Sequence, residues 1–328
     1  RPVLPGFWQP PAIVTTAPAL RADPTAPYPC SGHGIVYPVE EASLDGHCEC
    51  HSGWMGRDCA RPDTSRNAVA RSGNPLIFEE YWYTHQEANM ATTPFYRLGY
   101  EAWNEPMSAR HEDWETQMEI LEQAIRATHR LVGNVANIDS YHIVVGAGSS
   151  PLIPAAFYGL YEGRDIEITG GQPWYSGYPS AVRGMDNSHF TWASQPTGRK
   201  PVVEMITAPN NPDGDVHGPT YPGSMPVYDR AYWWPHFTPV SPVEDDIMLF
   251  TLSKLTGHAG TRIGWALVKD ADVAAKMAAY VHASGRISHD AMLRGATVLN
   301  HLVESAGGPV WWAMDKMDGR WDQLLDIL

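Results

Sequence analysis

The sequence predicts an α/β domain, with a mainly parallel sheet covered by helices on both faces, preceded by a small cysteine-framed module. Three observations predict it. Six short apolar runs, each bounded by Gly, Pro or Asp, have the continuous hydrophobicity of strands buried on both sides. Helical stretches alternate with them, the order that builds a parallel sheet through crossover helices. All four cysteines, Cys30, Cys48, Cys50 and Cys59, fall in one short segment ahead of the alternating region.

In chain order, residues 1–29 are rich in Pro and Ala, carry few charges, and read as an extended leader. Residues 30–61 hold the cysteines, and residues 62–328 form the α/β domain. Its clearest helix has Trp114, Met118, Leu121 and Ile125 at helical spacing, with Glu115, Glu119, Glu122 and Arg126 between them. The strand candidates are Tyr141–Val145, Ile166–Thr169, Pro201–Ile206, Met225–Tyr228, Ile247–Leu252 and Ile263–Val268. The chain has no internal repeat and no low-complexity tract.

Bulk properties exclude some functions. A net charge of −14 argues against a nucleic-acid partner, because phosphate contacts need clustered Lys and Arg. No apolar run reaches the roughly 18–20 residues of a membrane-spanning helix. The chain begins at Arg1, which leaves room for a missing N-terminal piece. The clustered, even set of cysteines reads as disulfides or as a metal site. A zinc site would draw on Cys48, Cys50, Cys59 and one of His33, His47 or His51, but the C-x-C spacing suits structural zinc poorly. The other histidines, His236 and His258 among them, show no metal-ligand spacing, and no metal is expected.

The chemistry concentrates in Ile247–Val268. Lysine is scarce, with Lys200, Lys254, Lys269, Lys276 and Lys316 the only five. Lys254 ends a buried apolar strand, where an ammonium is costly unless it is used. A desolvated lysine of lowered pKa suits carbonyl chemistry, though a structural lysine is the plain alternative. Thr251 and Ser253 add hydroxyls, and Arg262 follows eight residues after Lys254, a set suited to a phosphate. Asp229 sits at a strand end, where it could also cap a helix, and Tyr232 follows it. Residues Asn210, Asn211, Pro212, Asp213 and Gly214 make a turn after another strand. Gly146, Ala147, Gly148, Ser149 and Ser150 follow a strand and open a helix, leaving backbone N–H groups for a phosphate.

The order G-x-G-S-S, P-W-Y, N-N-P-D-G, Y-D-x-A-Y, S-K-x(7)-R-x-G resembles the fold-type-I aminotransferases. TLSKLTGHAGTRIGWALVKD and YWWPHFTPV, with the C-E-C-x8-C cysteine pattern, are more specifically similar to the plant alliinase and tryptophan aminotransferase-related family. The likeness runs from about Cys30 to about Arg294. It implies the large domain of a fold-type-I transferase dependent on pyridoxal 5′-phosphate (PLP), behind an EGF-like module. That module lacks its usual first and third cysteines, Ile35 standing at the third, so the implied disulfides are Cys30–Cys48 and Cys50–Cys59. Either way, the module is structural or interactive, not the active site.

The resemblance also assigns roles. Lys254 is the Schiff-base lysine and moves the proton at the reacting carbon. Asp229 pairs with the pyridine nitrogen and keeps it protonated. Tyr232 and Asn211 bond the ring's phenolic oxygen, and Tyr175, a core tyrosine if taken alone, stacks on the ring. Arg262, Ser253 and the backbone of Gly148, Ser149 and Ser150 hold the phosphate. Thr251 is a further phosphate candidate, and Tyr100 reaches toward the phosphate of a neighbouring subunit. Family members continue into a small C-terminal domain carrying the arginine that grips the substrate carboxylate. Nothing after Trp312 matches it, and Arg320 lies in a stretch that reads as a helix, so that domain is expected to be truncated here.

The expected activity is therefore transamination of a tryptophan-like aromatic L-amino acid with a 2-oxo acid. Carbon–sulfur lyase chemistry and a catalytically dead binding module are the alternatives. The partners implied are a small-molecule amino acid and a second copy in a homodimer. Disulfides place the chain in the secretory pathway, ending in the ER lumen, a vacuole or outside the cell, and no Asn-x-Ser/Thr sequon adds to that placement.

Overall fold

The computed structural model describes residues 31, 34–37, 47–50, 54–56, 58–62, 77–78, 81–82, 111–185 and 189–327. The chain divides into two units, Arg1–Glu80 and Tyr81–Leu328.

The first unit contains two short antiparallel pairs. Strands β1 (Gly34–Tyr37) and β2 (His47–Cys50) pair with Gly34 opposite Cys50, and β3 (Trp54–Met55) pairs with β4 (Arg61–Pro62). Between β3 and β4 the chain turns through Gly56 at φ +104° and Cys59 at φ +58°. Cys59 is buried and disulfide-bonded, and no described cysteine is free. Cys30 and the side chains of Cys48 and Cys50 lie outside the described residues, as does Tyr100.

The second unit is built on a seven-stranded sheet. Its strands are β5 (His142–Gly146), β6 (Ile166–Gly170), β7 (Phe190–Trp192), β8 (Val202–Thr207), β9 (Met225–Asp229), β10 (Ile247–Thr251) and β11 (Gly264–Val268). They lie in the order β5-β11-β10-β9-β8-β6-β7. Every pairing from β10 to β7 is parallel, and β11 alone runs against both of its neighbours. The edge strand β7 has too little apolar length to be read from sequence.

Period-2 alternation sends neighbouring residues to opposite cores. Met248 and Phe250 of β10, with Trp265 and Leu267 of β11, enter one cluster; Ile247, Leu249, Ala266 and Val268 enter the other. The first is closed by α1 (His111–Val132) and α6 (His289–Glu304). The second is closed by α2 (Leu152–Gly159), α3 (Gly177–Met185) and α5 (Ala271–Ala283). On α1, Leu121 and Ile125 are fully buried and Met118 packs beside them, so the helical spacing read from sequence points at the core. Asp270 and Ser288 cap α5 and α6 by accepting from backbone N–H groups of the first turn. Gly133, at φ +71°, ends α1 by donating to the His129 carbonyl. A last helix, α7 (Gly308–Ile327), contains Arg320. Among the described residues, no helix is long and apolar enough to cross a membrane.

Candidate active site

Parallel strands open their carboxyl ends along one edge, and that edge is where α/β sheets place ligands. Here Thr207 ends β8, Asp229 ends β9 and Thr251 ends β10, with Thr207 and Leu249 both in register with Asp229. The reversed strand β11 enters at the same edge. Its first residue, Gly264, pairs with Gly146 of β5 on one side and Thr251 of β10 on the other. That pairing brings the Gly146–Ser150 turn beside the Thr251–Lys254 turn.

The glycine at 264 is sterically required. A Cβ there would stand 2.4 Å from the Gly148 carbonyl carbon and the Ser149 nitrogen, both backbone atoms that cannot step aside. Gly148 itself adopts φ +85°, and a Cβ on it would lie 2.4 Å from Nη2 of Arg262. Arg262 is held by donating from Nη2 to the Ala147 carbonyl (3.1 Å) and from Nη1 to the Ala259 carbonyl (3.3 Å).

Around this edge lies a cavity of about 500 Å³. Its lining includes Lys254, Asp229, Tyr232, Asn211, Arg262 and Ser253, and also Ser149, Ser150, Thr251 and Tyr175. Two of the phosphate candidates have polar groups engaged within the chain. Gly148 does not line the cavity, and its amide donates to the Gly146 carbonyl at 2.7 Å. Its positive φ and missing Cβ let Arg262 approach the turn. Thr251 lines the cavity, but its hydroxyl caps α4 (Leu252–Leu255), accepting from the Ser253 amide at 3.3 Å and bonding the Ser253 hydroxyl at 3.1 Å.

The lysine emerges from that single turn. Its Nζ lies 5.3 Å from the centroid of the Tyr232 ring, and among the described residues it has no hydrogen-bond or ion-pair partner. The turn is backed by His236, whose Nε2 bonds the Lys254 carbonyl at 2.9 Å. Burial pushes His236 down to about 4, so it is the neutral ring that donates. Asn211 donates from Nδ2 to the Tyr232 hydroxyl at 3.3 Å, drawing the two groups together.

Asp229 is the buried acid of the site, at 6% exposure. Burial raises its pKa, while the Tyr178 hydroxyl, the Ala231 amide and the charge of Lys254 oppose the rise. The next residue, Arg230, fixes the turn. It pairs with Asp245 at 2.7 Å, lies over the rings of Tyr228 and Trp233, and donates to the Ala208 carbonyl. Tyr175 is 50% exposed at the cavity wall, and its ring folds over Gly177, where a Cβ would meet it at 2.1 Å.

Of the other lining residues, Trp174, Asn210, Ala231 and Ala259 belong to motifs read from sequence but had no role assigned, and Ser176 and Thr207 were not read from sequence. Nor was Tyr178, three residues after Tyr175 and so one helical turn on. The spacing was the available signal. The exposed carboxylates of Asp213 and Asp215 approach His217 within metal-ligand range, but Asp213 is occupied by the Asn210 side chain and the Asp215 amide.

The donor set fits PLP. Arginine and serine hydroxyls suit its phosphate, a buried carboxylate suits its ring nitrogen, an unpaired amine suits its carbonyl, and the missing Cβ of Gly148 lets the Arg262 guanidinium sit against the turn. Comparisons with known proteins agree. The allinase family model matches residues 68–328, and the alliinase EGF-like domain model matches residues 14–65. Tryptophan aminotransferase-related protein 3 of Arabidopsis thaliana is 31% identical over 95% of this chain and 71% of its own length. Tryptophan aminotransferase-related protein 2 of Oryza sativa is 36% identical over 73% of this chain and 50% of its own. Alliin lyase 2 of Allium sativum is 32% identical over 87% of this chain and 62% of its own. The chain therefore spans between half and about seven tenths of the length of these relatives. Aspartate aminotransferase from Thermus thermophilus shares the fold at 17% identity, with a TM-score of 0.51 over 63% of this chain and 61% of that one.

Proposed function

The chain belongs to the alliinase family of PLP-dependent enzymes, and we propose that within it this protein transaminates a tryptophan-like aromatic L-amino acid with a 2-oxo acid as acceptor. One observation carries the reading. A single cavity gathers Lys254, Asp229, Tyr232, Asn211 and Arg262 from separate strand ends. Its aromatic wall supports the choice of substrate: Trp174 and Tyr175 line the cavity side by side, apolar surface of the kind an aromatic side chain packs against.

When bound, PLP supplies an electron sink for the bond broken at the substrate's α-carbon. The residues supply the rest. Lys254 would hold the cofactor through its amine, and its Nζ would carry the proton to and from the substrate's α-carbon. Asp229 holds the ring nitrogen protonated. The linked Tyr232 hydroxyl and Asn211 amide take the phenolic oxygen, and Tyr175 covers the ring. Arg262, with Ser253, Ser149 and Ser150, holds the phosphate. The EGF-like module supports passage through the secretory pathway, and the functional assembly is a homodimer.

A second reading, carbon–sulfur lyase activity, is favoured by the likeness to alliin lyases. Both use the same residues to remove the same proton. The test begins with a spectrum of the purified chain titrated with PLP. A visible band absent from Lys254→Ala, with turnover lower by about 10²–10⁴-fold or more in that variant, is expected. L-tryptophan plus a 2-oxo acid should then yield indolepyruvate. Pyruvate from an S-alkyl cysteine sulfoxide, without indolepyruvate, would give the second reading instead. A wild-type chain that forms no band would overturn both.

A further inference from the structure

The acid of the site does not stand alone. Tyr178, from the first turn of α3, is fully buried, and its hydroxyl lies 2.9 Å from Oδ2 of Asp229 and 2.6 Å from Oγ1 of Thr207. Its ring also meets the Tyr175 ring edge to face, with centroids 5.5 Å apart. One side chain thus touches both the carboxylate and the aromatic wall of the cavity.

Counting protons fixes the direction of the bonds. An ionised carboxylate only accepts, so the phenol donates to Asp229. The phenol has then spent its one hydrogen, so the Thr207 hydroxyl must donate to the phenol oxygen. The result is an ordered chain, Thr207 to Tyr178 to Asp229, in which each donor polarises the next. The other carboxylate oxygen accepts from the Ala231 amide at 3.2 Å. The chain is built in by register, since Thr207 and Asp229 are paired residues at the ends of β8 and β9. Burial and the carboxylate beside it raise the phenol's pKa, so it keeps the proton it donates.

We propose that Tyr178, itself supported by Thr207, is a positioning residue that orients Asp229 and keeps it ionised to receive the protonated ring nitrogen of the cofactor. This rests on the reading of the cavity as a PLP site. Without the donor, a carboxylate this buried shifts toward its neutral form, which cannot hold a protonated nitrogen. Among the described residues, Lys254 and Tyr178 are the titratable groups acting on Asp229.

The test is PLP affinity measured from the visible band and from protein fluorescence, between pH 5 and pH 8, for wild type, Tyr178→Phe, Asp229→Asn and the double variant. Loss of a hydrogen bond to a charged group predicts about a 10-fold weaker Kd for Tyr178→Phe near neutrality. The deficit should grow as pH falls, because more of Asp229 becomes protonated. In the Asp229→Asn background the same change should add less than about 2-fold, since the carboxylate it serves is gone. Thr207→Val, nearly isosteric, should move Kd in the same direction by about 3-fold and serves if Tyr178→Phe does not fold. A pH-independent loss, or a loss of equal size in both backgrounds, would reduce Tyr178 to a packing residue and overturn the proposal alone. A wild-type chain that does not bind PLP would overturn the cofactor reading and this inference together.

Discussion

Two polar clusters are built on the same strands, and they differ in how completely their hydrogen bonds are filled. Around His129, on the α1 side, the ring is wholly buried: Nδ1 bonds Oδ1 of Asn134 at 2.8 Å, and Nε2 accepts from Trp265 at 2.9 Å. Asn134 donates onward to the Trp233 carbonyl, and the Trp233 indole returns a bond to the Asn134 carbonyl. Trp234, Phe250 and Trp265 enclose the ring. Around Lys254, at the strand ends, the amine has no partner among the described residues, and arginine and serines face an open cavity. The first cluster is wholly buried, and among its side chains only the Trp234 indole N–H lacks a partner; the second is half-buried to exposed, and its open capacity, the Lys254 amine above all, faces a cavity. A nearly saturated network holds a fold, whereas converging unfilled donors wait for something outside the chain.

The contrast should appear most sharply in stability. Trp265→Ala removes a fully buried indole and strands the His129 acceptor, so unfolding free energy should fall by about 3–5 kcal/mol in chemical denaturation. If PLP affinity fell while stability held, the two clusters would not be separable in this way.

Acid should act next. The folded pKa of His129 is pushed down to about 4 by burial, from an ordinary 6.5, and His236 behaves alike. The folded state therefore binds fewer protons than the unfolded chain in this interval. Stability falls as pH drops through about 6.5 toward about 4, by about 1.4 kcal/mol per pH unit for each ring. The raised carboxyls of Asp229 and Glu122 titrate in the opposite sense, so the informative quantity is the difference between wild type and His129→Gln. That variant should be less sensitive to acid by one ring's share, and equal slopes would show that His129 is not buried neutral.

The smallest effect is expected at the cradle. Gly148→Ala places a methyl against the guanidinium of Arg262, and the positive φ costs about 1–2 kcal/mol. PLP affinity should weaken several-fold with cooperative unfolding retained. Unchanged affinity would remove Gly148 from the account of the site.

Much of this was legible in the sequence, for physical reasons that differ by element. The strands β5, β6 and β8–β11 announce themselves because burial on both faces requires continuous apolar runs. Lys254 and Arg262 stand out because charge at the end of such a run needs a use. Tyr178 and Thr207 did not stand out: a buried tyrosine and a strand-end threonine look like core until the register of β8 against β9 puts them in line. The use of the Gly148 amide was hidden too, because a Gly-rich turn announces flexibility but not which of its N–H groups are already taken. The His129 network could not be told from any other buried histidine without knowing that Asn134 and Trp265 meet it.

The reversed strand β11 has one more consequence. Residues 252–263 leave the sheet at Thr251 and return at Gly264, and those two residues face each other across the ladder. Lysine and arginine are therefore carried on one tethered span whose contour length is set by its closure. A residue inserted or deleted there must either be absorbed in the turns between Lys254 and Arg262, shifting one charge against the other, or be passed into the ladder, where a one-residue slip exchanges the inward and outward faces of β11. The spacing between these two residues thus works like the gauge of a railway: it is fixed by the two rails of the ladder that the span joins, not by either residue alone.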